Sequence, residues 1–276
     1  MKADLHVHSS YSDGSSSVGV VLEQASIHGV EQISFVDHDT VDGLPEALRL
    51  GEKYGVEVIP GIELSAYDFV RNRKVHVLGY YYDPTAPHIK SVCQPILERR
   101  QAHSLWQIEQ IKAAGFDLDI AAIKQTMGPG KTIYKQHIMR HLTTAAYSST
   151  KYKQLYKSLF KGRGVAAGDI VYMDVFDAVQ AIVSDGGLAV VAHPGQLNSF
   201  EIIPELAKKG LGGIERNHPD HDPVDQQKVE EIAERYNLIM TGGTDYHGSF
   251  GEIIEVGDIS SPTPLPARQL NDGVYR

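Results

Sequence analysis

The stretch Asp4-Leu5-His6-Val7-His8, followed by Tyr11-Ser12-Asp13-Gly14, decides how the chain is read. Ala3, Leu5 and Val7 alternate with polar residues, the pattern of a short strand, and Gly14 with its neighbouring serines ends it in a loop. Residues two apart on a strand point to the same side, so His6 and His8 project into one space. Two converging imidazoles with a carboxylate on the next turn make half of a divalent-metal site. The plain alternative is one structural histidine and one hydrogen-bonded at the surface. The rest of the chain decides between these readings by supplying further ligands.

Working outward, Gln32 to Val36 reads as a strand delivering Asp37-His38-Asp39, between helices over Val18–Gly29 and Leu44–Gly55. Val56 to Glu63 is a third strand region with Glu63 near its end, and Val75 to Tyr80, with His76, a fourth. After residue 169 come a helix over Val175–Ser184 and a buried-type strand over Leu188–Ala192 running into His193-Pro194-Gly195. A helix over Ile202–Lys209, the short strand Gly213-Ile214-Glu215 and a helix over Val224–Tyr236 follow. Leu238–Thr241 then leads into Gly242-Gly243-Thr244-Asp245-Tyr246-His247. This rhythm predicts parallel pairing through right-handed crossovers. Between the halves it stops: Leu97–Gly115 and Ile133–Phe160 read as helices. Residues 87–167 are therefore expected to form a helical insertion between 1–86 and 168–276, with a loop-like tail after Ile259.

The totals exclude several classes. The 276 residues suit one barrel-sized domain or one domain with an insertion. No apolar run approaches the ~20 residues needed to span a bilayer, and Lys2 leads straight into the first strand, leaving no room for a signal peptide. The single cysteine, Cys93, excludes an intramolecular disulfide and points to a reducing, cytoplasmic setting. A net charge of −9 argues against a duplex-DNA-coating protein. Against that balance, no acidic residue falls between Asp119 and Asp169, a segment holding nine lysines and arginines. Lys151, Lys153, Lys157 and Lys161 fit a solvated helix face. Lys131, Lys135, His137 and Arg140 follow the Gly128-Pro129-Gly130 loop, an arrangement that suits a phosphate.

His6, His8, Asp13, His38, Glu63, His76, His193, Asp245 and His247 all fall at or just past predicted strand ends, which converge on one face in a barrel of parallel strands. Nine such donors would repel one another or go unsatisfied without cations among them. They suffice for two or three divalent ions, and mixed imidazole and carboxylate without thiolate suits Mn, Fe or Zn.

The ordered set H-x-H with Asp13, D-H-D, G-I-E, a strand histidine, A-H-P and G-G-T-D-Y-H-G resembles the polymerase and histidinol phosphatase (PHP) family of metal-dependent phosphoesterases over nearly the whole chain. The resemblance implies a distorted (β/α)7 TIM-like barrel with a helical insertion, and a trinuclear centre. The first metal would take His6, His8, Glu63 and Asp245, the second Asp13, His38 and His247, and the third His76 and His193 with Glu63 bridging. The insertion resembles the subgroup acting on 3′,5′-nucleoside bisphosphates and the 5′ ends of short RNAs, where a G-R-P-H-I-A-R-like segment helps hold substrate. Here the segment is Tyr134-Lys135-Gln136-His137-Ile138-Met139-Arg140, with Lys135 in place of arginine and Gln136 in place of proline, and Gln196 stands where an arginine is common. Lysine is a point charge and not a bidentate clamp, so these departures bear on the substrate.

The expected activity is hydrolysis of a nucleotide phosphomonoester by water activated on the cations, with Lys135, His137 and Arg140 binding substrate. Metal-bound water, His218 or His221 would protonate the leaving group, while Asp4, Asp37 and Asp39 would orient histidines. Tyr134, Tyr147, Tyr152 and Tyr156 could stack on a base. Rival readings are a phosphatase for a small metabolite such as histidinol phosphate, an amidohydrolase, and a non-catalytic metal-binding module.

Overall fold

The computed structural model describes residues 1–266, together with the backbone of two short strands, Leu270–Asn271 and Val274–Tyr275, which pair antiparallel. The tail read as loop from the sequence is irregular over residues 260–266 and then carries this strand pair; positions 267–269, 272, 273 and 276 lie outside the described residues.

β1 (Ala3–Val7), β2 (Gln32–Phe35) and β3 (Glu57–Val58) form a parallel sheet in that order. A second sheet holds β4 (Gly61–Asp68), β5 (Arg73–Tyr80), β6 (Met173–Asp174), β7 (Leu188–Val191), β8 (Leu211–Asn217) and β9 (Ile239–Gly242), in the order β6-β4-β5-β7-β8-β9. Single parallel bridges, Val7 with Tyr246 and His38 with Glu63, join the sheets at both seams. The fold is α/β, and among the described residues the backbone ladder is not continuous around a barrel. The interior is nevertheless shared: Leu5 and Val36 pack with Leu78, Tyr80, Val190 and Ala192 in one apolar cluster, and the Tyr80 hydroxyl donates to the Leu5 carbonyl at 2.8 Å.

The helices follow local rules. In α1 (Val18–Ile27), Ser17 caps the first turn and Val18, Val21, Leu22 and Ala25 give the buried stripe. α2 (Leu44–Tyr54) ends at Gly55, whose φ of 69° suits glycine at a left-handed cap. α3 (Pro87–Ala113) begins ten residues before the helix expected from the sequence and runs through Pro95. Its start is stabilised from outside, because the Asp185 carboxylate accepts the His88 and Ile89 amides at 3.2 and 2.8 Å. Ile89, Cys93 and Ile96 at this end join the main core. The other end packs with α4 (Ile120–Gln125), α5 (Lys135–Leu142) and α6 (Thr150–Phe160) around Ile108, Ile111, Ile138, Met139 and Phe160. α7 (Val175–Ser184) matches the expected helix, and α8 (Pro194–Leu197), α9 (Ile203–Ala207) and α10 (Pro223–Tyr236) complete the second half.

The expectation of parallel pairing throughout is overturned. β5 is antiparallel to both β4 and β7. Residues 69–72 between β4 and β5 are too few for a crossover, so the chain must fold back as a hairpin. Glu63 is accordingly third in an eight-residue strand and His76 lies mid-strand, so neither sits at a strand's C-terminal end.

Gly61 marks a close approach that sets Glu63 against the β2 end. A Cβ there would collide with Ser34 Oγ, which is held by its bond to the Ile59 carbonyl, and would lie 2.9 Å from the Phe35 carbonyl. Gly61→Ala should therefore destabilise the protein by about 1–3 kcal/mol through overpacking, read as a lower urea midpoint at unchanged m-value.

Candidate metal centre

The loops that carry the donors are fixed by buried acids. Asp4 accepts the Thr244 amide and hydroxyl (3.0 and 2.7 Å) and the Gly257 amide (2.8 Å), pinning the turn before Asp245 to β1. Burial pushes its carboxyl up to about 6 against those hydrogen bonds. Asp37 accepts from the Ser9 amide and from the Ser9 and Ser12 hydroxyls, shaping the loop that presents Asp13. Asp39 accepts the Ser65 amide and Arg100. The three aspartates expected to orient histidines thus organise backbone instead.

That orienting role falls to Glu215, which the sequence reading did not single out. Its Oε1 lies 2.9 Å from His6 Nδ1 and its Oε2 accepts the His193 amide at 2.8 Å. A carboxylate only accepts, so His6 Nδ1 carries the proton and Nε2 turns its lone pair to the centre. The signal was present, since Gly213-Ile214-Glu215 repeats the Gly61-Ile62-Glu63 pattern. His247 is oriented similarly, its Nδ1–H donating to the Asp245 carbonyl at 2.8 Å.

All nine candidate donors converge. Glu63, fully buried, lies 3.5 Å from His6, 3.2 Å from His8, 3.3 Å from His38, 2.8 Å from His76 and 3.0 Å from His193. Asp245 lies 3.2 Å from both His6 and His8, and Asp13 3.3 Å from His247. Four overlapping groups could each hold a cation: His8, Asp13, His38 and His247; His6, Glu63 and His193; His6, His8 and Asp245; and His38, Glu63 and His76. Donor atoms within each group are at most 4.8 Å apart, compatible with ligands about 2.0–2.2 Å from a shared ion.

The electrostatics call for cations. Burial opposes ionisation of Glu63, yet the His38, His76 and His6 imidazoles hold it well below the usual carboxylate range. Asp245 is held down similarly by His6 and His247. Burial disfavours charge on His8, but Asp245 and Glu63 overcome it and push the imidazole up to about 10. His38 goes the other way, to about 4, through desolvation and the repulsion of His8 and His76 against the pull of Glu63 and Asp13. Among the described residues, five buried imidazole nitrogens of the candidate donors (His6 Nε2, His8 Nδ1 and Nε2, His38 Nδ1 and His193 Nδ1) make no hydrogen bond. Ring nitrogens left without partners so close to carboxylates fit divalent metal.

Two cavities flank the donors. One of about 420 Å³ has Asp13, His38 and His76 in its wall together with Lys74, Arg100, Lys135, Lys161, Tyr134, Tyr156 and Tyr172. The other, about 160 Å³, is bordered by Asp245, His247, His218 and Tyr147. Lys135 therefore lines a cavity that the donors also border, but the three residues expected to bind substrate together do not converge. His137 is buried and caps its own helix, its Nδ1 accepting the Tyr134 amide at 3.0 Å. Arg140 lines a separate cavity with Ser10, Gly128 and Phe250. His218 Nε2 is 3.3 Å from Asp245, whereas both nitrogens of His221 are taken by the Gly195 amide and the Arg216 carbonyl.

Comparison with known proteins places this geometry in context. Residues 4–243 match the PHP domain. The chain belongs to the PHP family. It is 51% identical over 257 residues to the phosphoribosyl 1,2-cyclic phosphate 1,2-diphosphodiesterase of Eggerthella lenta, covering 93% of this chain and 98% of that one. It is 28% identical to the 3′,5′-nucleoside bisphosphate phosphatase of Chromobacterium violaceum, covering 95% and 93%. A solved Bifidobacterium adolescentis structure, assigned as a metal-dependent phosphoesterase, superposes with a TM-score of 0.85 at 26% identity over 94% of this chain and 92% of that one. The PHP chain described here is accordingly a metal-dependent phosphoric ester hydrolase.

Glu215 offers a test of how the centre is held. In Glu215→Gln, one of two N–H donors would meet an amide NH2, so either His6 or the His193 backbone loses its partner. Mn affinity should fall roughly tenfold to a hundredfold, measured by metal titration, with the circular dichroism spectrum unchanged.

Proposed function

We propose that the protein hydrolyses the cyclic phosphodiester of a phosphoribosyl 1,2-cyclic phosphate and then the monoester this leaves. The observation that carries the reading is the cationic cavity opening off the donor cluster. Within it Lys74 pairs with Asp169 and Arg100 with Asp39, while Lys135 and Lys161 make no ion pair among the described residues. A cavity of about 420 Å³ with unpaired ammonium groups suits the second phosphate of a phosphorylated pentose while the first sits at the donors. The identity with the Eggerthella lenta protein over nearly its whole length supports the same substrate.

The three-centre partition is part of the proposal: His6, His8, Glu63 and Asp245; Asp13, His38 and His247; and Glu63, His76 and His193, holding two or three Mn, Fe or Zn ions. Such cations supply neutralisation of the phosphoryl oxygens and a lowered pKa for water. In the first hydrolysis, water adds to phosphorus as one of its two ester bonds breaks. In the second, the remaining ester bond breaks and inorganic phosphate leaves with ribose phosphate. We assign protonation of the leaving oxygen to His218. Its Nδ1 accepts the Asp220 amide at 3.1 Å, so the neutral ring carries its proton on Nε2, the atom facing Asp245. The single cysteine supports a cytoplasmic setting, and no helix among the described residues is long and apolar enough to cross a membrane.

A nucleoside 3′,5′-bisphosphate is the second reading, favoured by the rings of Tyr134, Tyr156 and Tyr172 in the same cavity wall. Phosphate release by Mn-loaded protein separates the two. The ribose 1,2-cyclic phosphate bearing a 5-phosphate should give the highest kcat/KM, and preference for adenosine 3′,5′-bisphosphate or a short 5′-phosphorylated RNA would overturn the first reading.

Lys135 adds a pH dependence. Burial, with Lys74, Lys161 and Arg100 nearby and only Asp169 opposing, lowers its ammonium from 10.5 to about 8. The charge is thus present below about 8 and lost above it, so kcat/KM should fall as pH rises through that value. Lys135→Met should remove this limb and lower kcat/KM at pH 7 by about tenfold to a hundredfold, the worth of one charge-assisted hydrogen bond.

A further inference from the structure

Two glutamines stand where the cavities meet. Gln136, half-buried on α5, and Gln196, exposed on α8, each line both the 420 Å³ and the 160 Å³ cavity. Gln136 Nε2 donates to Asp13 Oδ2 at 2.9 Å, and Gln196 Nε2 to Asp220 Oδ2 at 2.6 Å. Amide orientation is fixed by chemistry here, because a carboxylate offers nothing for an amide oxygen to accept. Each side chain is therefore held by its NH2 end. The oxygens make no hydrogen bond among the described residues and are absent from the buried unsatisfied atoms, which leaves them open to a ligand.

We propose that Gln136 and Gln196 are specificity-determining residues that read sugar hydroxyls, each carboxamide oxygen accepting from a hydroxyl of the bound pentose. The inference rests on the two-phosphate reading above and deepens it. An amide oxygen is an acceptor, so it attracts a hydroxyl donor and repels a phosphate oxygen. The rim between the donor cluster and the lysine-bearing cavity thus selects for the neutral part of the substrate. In a ribose carrying a 1,2-cyclic phosphate and a 5-phosphate, the one hydroxyl that neither phosphate occupies is on C3 and serves one of the two oxygens; the first hydrolysis frees a second hydroxyl, on C1 or C2, for the other. A spacer between two anionic groups is read at its centre by neutral acceptors.

The test is a ratio, kcat/KM on the ribosyl substrate divided by kcat/KM on its 3-deoxy analogue, for wild type, Gln196→Leu and Gln136→Leu. Wild type should discriminate by roughly threefold to tenfold, the worth of one neutral hydrogen bond, and at least one variant should bring the ratio close to one. Loss of Asp13 positioning in Gln136→Leu would lower both rates together and leave the ratio intact, so a structural role is distinguishable. A wild-type ratio of one, or ratios unchanged in both variants, overturns the proposal. If wild type turns over no ribose cyclic phosphate, the substrate reading fails by itself. The glutamines are then decided by the same ratio on adenosine 3′,5′-bisphosphate and its 2′-deoxy analogue.

Discussion

A single carboxylate, that of Glu63, lies within 3.5 Å of five imidazoles while having almost no contact with solvent. Burying an ionised carboxylate costs several kcal/mol unless opposite charge and hydrogen bonds replace its water. Imidazolium neighbours can do so only by taking protons against their own desolvation, which is why burial and charge pull His8 and His38 in opposite directions. Divalent cations resolve the conflict, because they neutralise the carboxylates and occupy the lone pairs of neutral imidazoles at the same time. The surrounding acids make sense in this light. Asp4, Asp37 and Glu215 spend their acceptors on backbone amides, hydroxyls and an imidazole N–H, which fixes the donors in a geometry they would otherwise avoid.

The antiparallel strand has a chemical consequence. Glu63 pairs with Leu78 in the β4–β5 register, and Ser65 pairs with His76. Glu63 and His76 are therefore diagonal neighbours on one face of a hairpin, close enough for the 2.8 Å contact between them. A parallel strand delivers its donor from a loop beyond its end. A hairpin can present one from mid-strand, held by ladder hydrogen bonds on both sides. The two donors on β4 and β5 are thus placed by sheet register, and the other seven by strand ends and turns held through buried acids.

How much of this was legible follows from the range of each interaction. The histidines and acids of the centre could be read because alternation along a strand and adjacency to glycine-rich turns are local features. So could α7, whose apolar spacing and Asp174 cap lie within one segment. The direction of β5 was written in the short link over residues 69–72, but the strand–helix rhythm on either side outweighed it. The start of α3 was not readable, because Asp185 caps it from nearly a hundred residues away. Glu215 lay in plain view as a second G-I-E, yet a ligand and a residue that holds a ligand share one local signature. His137 and Arg140 illustrate the opposite error of proximity: two and five residues along a helix of 3.6 residues per turn turn a side chain roughly 200° and 140° away from Lys135, so its neighbours in sequence point elsewhere.

The helical segment does more than cover the centre. The Tyr134 hydroxyl donates to the His38 carbonyl at 3.0 Å, Arg100 reaches Asp39 and Ser65, and Gln136 holds Asp13. Each contact ends on a donor residue or on a close neighbour of one in sequence, Asp39 following His38 and Ser65 lying two residues past Glu63. The same segment supplies Lys135, Lys161 and Tyr156 to the cavity wall. Groups that line the cavity and groups that position the donors are therefore carried on the same helices, packed around one apolar cluster. A change in this segment that alters what is bound must also move what holds the centre. That coupling leaves the helical residues free to change only in combinations that keep the contacts to His38, Asp39 and Asp13 intact.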